Sequence, residues 1–141
     1  MAKIENILFI DDDIICTFLN VTLVEELGIA KRVESINTAE EALEYMKAHY
    51  SGKSAHPAGH PDLIFLDIKM PGMDGFEFLE ELDRQKDIDK SRFLIIMLSA
   101  SLNPGDQCRA VCQSDMVFKS LTKPLFEEDV LKLLDGVLKT K

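Results

Sequence analysis

The feature that most constrains this chain is an unbroken apolar run, Leu63-Ile64-Phe65-Leu66, that stops on a carboxylate, Asp67. A run of this length with no alternation reads as a strand buried on both faces, as in a parallel sheet covered by helices. Pro71, Gly72 and Gly75 follow, so the chain turns sharply after the carboxylate. Asp74 with Glu77 three residues on makes a helix-start box, and Phe76, Leu79 and Leu82 then recur at helical spacing. Asp67 is therefore expected at the carboxyl end of a buried strand, where open α/β sheets place their ligands. A carboxylate there serves as a nucleophile, as a metal ligand, or as both.

The same strand-then-helix pattern runs through the rest of the chain. Ile7 to Ile10 stop at Asp11-Asp12-Asp13, and Ile14, Ile15, Phe18, Leu19, Thr22, Leu23 and Leu27 follow at helical spacing, with Gly28 placed as a C-cap. Val33 to Ile36 reads as a short strand. Thr38 and Glu41 form a second capping box before Ala39, Ala42, Leu43 and Met46. Residues 51–61 read as a loop. Phe93 to Leu98 is a fourth buried strand, ending at Ser99, and Asn103-Pro104 opens a fourth helix with little to bury. Val117 to Leu121 is a fifth strand ending at Lys123-Pro124. The last helix carries Val130, Leu131, Leu134, Val137 and Leu138. Five βα units predict a doubly wound parallel sheet with right-handed crossovers.

At 141 residues the chain is expected to be one domain, residues 1–141, with no output domain. A net charge of −9 argues against nucleic acid as a partner, because phosphates repel such a surface. No apolar run reaches membrane-spanning length, and Ile4 enters a strand without a signal-peptide pattern, so a cytoplasmic protein is expected. The three cysteines suit a reducing compartment. Cys108 and Cys112 with His56 and His60 make a poor zinc set, since zinc sites close with tighter ligand pairs.

The strand ends now carry Asp11 and Asp12, Asp67, Ser99 and Lys123. In a parallel sheet all of these ends share one edge. A strand-end aspartate alone is often only a helix cap, but acids, hydroxyl and lysine in one register are a chemical set. Three carboxylates together repel unless a cation is present, and oxygen ligands with room for water suit Mg2+. A lysine opposite them can hold a phosphate, and one carboxylate can attack phosphorus.

On these residues the chain resembles the receiver domains of two-component response regulators. The resemblance rests on Ile10-Asp11-Asp12, on Leu66-Asp67-Ile-Lys-Met-Pro-Gly-Met-Asp-Gly75, on Leu98-Ser99-Ala100 and on Lys123-Pro124-Leu125. It implies a flavodoxin-like (βα)5 fold with strand order 2-1-3-4-5. By resemblance, Asp67 is the phosphoacceptor, taking its phosphoryl group from a histidine kinase or a histidine phosphotransfer protein. Asp12, Asp67 and the backbone carbonyl of Lys69 are the implied Mg2+ ligands, with Asp11 acting through water. Lys123 and Ser99 are the implied phosphate-binding pair. Asp13 is expected to cap the first helix.

The resemblance further implies a phosphoacceptor signalling domain rather than a turnover enzyme. Its downstream protein target is expected on the fourth helix, fifth strand and fifth helix, and the chain is expected to be a monomer or weak dimer. The Lys123–Pro124 peptide bond is expected to be cis. One departure stands out: three residues before the lysine, where the family has Tyr or Phe, this chain has Ser120, with Phe118 two residues earlier and expected on the same strand face. The switch is therefore expected to run through residues 100–103. Two other classes compete. A haloacid-dehalogenase-type phosphatase would use Asp11-Asp12-Asp13 as its opening motif, but it needs an acid pair at a strand end after the lysine, and only Glu127, Glu128 and Asp129 are available. A flavodoxin-like cofactor carrier would need a phosphate loop after the first strand, where this chain has acids.

Overall fold

The computed structural model describes residues 4–51, 61–99, 117–123 and 125–139, the side chains of 138 and 139 excepted. Five parallel strands form one sheet: β1 (Ile4–Ile10), β2 (Ala30–Ile36), β3 (Asp62–Asp67), β4 (Phe93–Ser99) and β5 (Val117–Thr122). Their spatial order is β2-β1-β3-β4-β5, so the flavodoxin-like topology expected from the resemblance is the one observed. Four α-helices are described: α1 (Ile14–Leu27), α2 (Ala39–Tyr50), α3 (Gly75–Arg84) and α4 (Glu127–Lys139), the last being the fifth of the sequence pattern. The helix expected from Asn103, the loop at 52–60 with His56 and His60, Cys108 and Cys112, and the bond to Pro124 all lie outside the described residues.

Burial explains the layering. Every residue of β3 is buried, because helices cover both faces of the sheet. Leu8, Ile64, Leu66, Ile95 and Met97 point to the side covered by α2 and α3, where they meet Ala42, Met46, Phe76 and Leu79. Ile7, Phe9, Leu63, Phe65 and Leu98 point to the other side, against Val24 of α1 and Val130, Leu133, Leu134 and Val137 of α4. At the opposite, amino-terminal edge Tyr50 donates to Asp62 at 2.7 Å, and further along the sheet Tyr45 links Asn6 to Glu34.

Three helix starts form as the side chains dictate. The Asp13 carboxylate accepts from Cys16 N at 3.0 Å, Thr38 Oγ1 accepts from Glu41 N at 3.2 Å, and Asp74 with Glu77 closes both limbs of a capping box.

Three side-chain expectations are corrected. Helix α1 forms where its spacing predicts, but it turns Thr17, Asn20 and Val24 to the sheet and leaves Ile14, Ile15, Phe18 and Leu19 exposed at 61–74%. The helix is apolar nearly all round, so spacing alone could not select its inner face. In α4 the inner face takes Leu133 rather than Leu131, which is 43% exposed.

The third correction concerns β5. Ile95 pairs with Val117 but Ile96 pairs with Lys119, so Phe118 is an extra residue in the ladder. This bulge breaks the alternation. Val117 stays on the α2/α3 side, whereas Phe118 packs with the α1/α4 side. Ser120 pairs with Met97, which also faces α2 and α3, so Phe118 does not share a face with Ser120.

Candidate functional site

Each site residue owes its position to the carboxyl edge of the sheet. Asp11 follows β1 directly and is held there by its N–H, which donates to Ile36 O at 3.1 Å. Asp67 ends β3 and pairs in register with Leu98, one residue before Ser99. Lys123 follows β5, and its N–H donates to Ser99 O at 2.7 Å, tying the ends of β4 and β5 together. Asp11, Asp67 and Ser99 are buried, while Asp12 and Lys69 are exposed.

The turn after Asp67 brings α3 close behind it. Gly75 N donates to Ile68 O at 2.7 Å. A Cβ at position 75 would lie 2.7 Å from the Asp67 carbonyl oxygen and 2.9 Å from Ile68 Cα. No side chain fits there without moving the strand end, so glycine sets how close the helix comes.

Lys123 bridges two carboxylates that are far apart in sequence. Its Nζ lies 3.0 Å from Asp11 Oδ2 and 3.0 Å from Asp67 Oδ1. The other oxygen of Asp11, Oδ1, accepts from Asp13 N at 2.9 Å. One carboxylate oxygen each of Asp11, Asp12 and Asp67 lies within 4.8 Å of the others. This set is all oxygen and open to water on the Asp12 side, which fits a hard divalent cation such as Mg2+.

The electrostatics show how crowded the acids are. Burial raises the Asp67 carboxyl to about 6, hydrogen bonding from Lys123 opposes this, and the neighbouring Asp11 charge adds to it. Burial would lower the Lys123 ammonium, but the Asp11 and Asp67 carboxylates outweigh it and raise it. One lysine charge thus serves two buried acids, and the site gains from any further positive charge.

All five strand-end residues singled out from the sequence, Asp11, Asp12, Asp67, Ser99 and Lys123, stand at this edge, and Asp13 caps α1 as expected. Glu127, Glu128 and Asp129 lie in the first turn of α4, where Asp129 accepts from Phe126 N at 3.3 Å. They stand on a helix and do not form the strand-end acid pair a haloacid-dehalogenase site needs. Sequence reasoning missed the apolar surface beside the acids, formed by Ile14, Ile15, Phe18 and Leu19. The signal was present: this helix has no polar face to turn outward. Next to it, a cavity of about 440 Å³ opens between α1 and the end of β2, with Asp11, Ile14, Phe18 and Ile36 in its walls.

Comparison with known proteins bears on this arrangement. The family model described as "Response regulator receiver domain" matches residues 7–135. A probable methanogenesis regulatory protein, FilR2, of Methanothrix harundinacea is 28% identical over 131 residues, covering 93% of this chain and 79% of the relative. An uncharacterized response regulatory protein of Vibrio cholerae is 30% identical over 132 residues, covering 94% of this chain but only 48% of the relative. Among solved structures, a two-component response regulator from Cytophaga hutchinsonii aligns with a TM-score of 0.80 at 32% identity, covering 96% of this chain and 98% of that one. The Vibrio cholerae chemotaxis protein CheY4 aligns with a TM-score of 0.72 at 25% identity, over 95% of this chain and 98% of that one. No described helix is long and apolar enough to cross a membrane.

Proposed function

Since this chain belongs to the response regulator receiver domain family, we propose that Asp67 is its phosphoacceptor and that Asp11, Asp12, Ser99 and Lys123 serve the transfer. The observation that carries the reading is the Lys123 ammonium, 3.0 Å from both Asp11 and Asp67 at the end of a buried strand. It engages Oδ1 of Asp67 and leaves the second carboxylate oxygen to attack phosphorus. The donor is a phosphohistidine on a histidine kinase or a phosphotransfer protein. The new P–O bond forms on Asp67 as the P–N bond breaks, and the P–N electron pair stays on the departing imidazole nitrogen.

Positioning and charge neutralisation dominate such transfers. Lys123 follows the phosphoryl oxygens, and the Ser99 hydroxyl donates to one of them. Mg2+, held by Asp12, Asp67 and the Lys69 carbonyl with Asp11 acting through water, supplies further positive charge when bound. Retention of one phosphoryl group per chain, with no turnover of phosphate esters, separates this reading from that of an enzyme.

Two surfaces follow. The donor must reach Asp67 from the carboxyl edge, and the apolar face of α1 begins just beyond Asp12 and Asp13. Ile14, Ile15, Phe18 and Leu19 therefore make the contact with the donor protein. The downstream target reads β5 and α4, where Phe126 and Leu131 are exposed at 58% and 43%. The remainder of that expected surface, the helix from Asn103, lies outside the described residues.

Incubation with acetyl phosphate and Mg2+, followed by mass mapping, tests the assignment. Labelling is expected on Asp67 alone, and to be lost in Asp67→Asn or with EDTA. Undiminished labelling of the Asn variant refutes it.

A further inference from the structure

Ser120 stands on the α2/α3 side of β5 in register with Met97, and its buried Oγ has no hydrogen-bond partner among the described residues. It is too small to follow a movement of Ser99. The aromatic ring of this strand belongs to Phe118, which the bulge carries to the opposite side of the sheet. There the ring is only partly buried and lies against Gly136 of α4.

Gly136 is the informative residue. It sits inside α4, where only proline is a worse helix former than glycine. A Cβ at position 136 would lie 3.5 Å from Phe118 Cζ and 3.9 Å from Cε2, which is ordinary van der Waals contact. Alanine would fit in this conformation. The helix therefore keeps an unfavourable residue for a space that this conformation does not need.

We propose that Phe118 is the moving aromatic of this domain and that Gly136 is the space it enters when Asp67 is phosphorylated. The inference rests on Asp67 being the phosphoacceptor. The link is mechanical. A phosphoryl group on the second carboxylate oxygen of Asp67 leaves Oδ1 an uncharged carbonyl and puts the negative charge on the phosphoryl oxygens, so the Lys123 ammonium follows them and leaves its present position 3.0 Å from Oδ1. Lys123 directly follows β5, which among the described residues pairs with β4 alone and is interrupted by the bulge. A shift at the end of a strand with a neighbour on one side is carried along it to the bulge, where Phe118, at the irregular position, moves toward α4. The movement thus reaches the face formed by α1 and α4 rather than the Ser99 side of the sheet.

A fluorine label tests this in the intact chain. 4-Fluorophenylalanine is placed at position 118 alone, and the 19F resonance is followed as acetyl phosphate and Mg2+ phosphorylate the protein. The acyl phosphate on Asp67 is measured by mass in the same sample. The resonance should shift in proportion to the phosphorylated fraction. Gly136→Ala should fold and still accept the phosphoryl group, while the displaced ring population falls roughly five- to thirtyfold, the usual effect of one overpacked methyl. A 118 resonance that stays fixed at full acyl phosphate overturns the inference and leaves the phosphoacceptor standing. So does a Gly136→Ala protein whose resonance shifts as far as the wild type. Absence of acyl phosphate on Asp67 overturns both.

Discussion

Replacing Asp67 with asparagine should stabilise the metal-free protein at neutral pH while removing its phosphoryl acceptor. Folding raises the Asp67 carboxyl from an ordinary 3.8 to about 6, chiefly through burial, so the folded state resists its ionisation. A group whose pKa rises on folding binds more protons in the native state between those two values. Stability therefore falls as pH rises through that window: the penalty is absent below about 4 and complete above about 6. At about 1.4 kcal/mol per pKa unit, the full penalty is about 3 kcal/mol. This is a ceiling, because Asp67 shares the Lys123 ammonium with Asp11. Asparagine has nearly the shape of the neutral acid and carries no charge, so it escapes the penalty. Urea unfolding of both proteins in EDTA, at intervals from pH 4 to 8, gives the difference directly. The variant should match the wild type near pH 4 and exceed it at pH 7. A gap that does not change with pH, or a variant that is the less stable at pH 7, refutes the reasoning.

Lys123→Met leaves Asp11 and Asp67 buried without their cation, so the variant should lose about 3–5 kcal/mol at neutral pH, with recovery on acidification or with Mg2+, in denaturant melts. Gly75→Ala forces the Asp67 carbonyl aside and should cost roughly 1–3 kcal/mol while slowing acetyl phosphate labelling; unchanged labelling would mean that α3 can retreat freely. Phe18→Ala changes an exposed residue, so stability should stay within about 0.5 kcal/mol; transfer from a phosphohistidine protein should slow while labelling by acetyl phosphate does not. Asp13→Ala removes the α1 cap and should cost about 1 kcal/mol in thermal melts.

The local sequence determined most of the architecture, because the signals are short-range. An apolar run ending in a polar residue specifies a buried strand and its polar end, and β1, β3 and β4 read this way, stopping at Asp11, Asp67 and Ser99. The caps at Asp13, Thr38 and Asp74 are contacts between residues three apart, legible from spacing alone. The shared edge of a parallel sheet then brings Asp11, Asp67, Ser99 and Lys123 together by topology. Tertiary structure alone decided which face each ambiguous element turns inward. An apolar periodicity cannot orient α1, whose sheet-facing side carries Thr17, Asn20 and Val24. Nor does strand alternation survive one added residue: the ladder between β4 and β5, not the order of residues in β5, sends Phe118 to α4 and leaves Ser120 opposite Met97. The proton balance of the site is likewise tertiary, since burial and a lysine 112 residues away from Asp11 set it, and neither is visible along the chain.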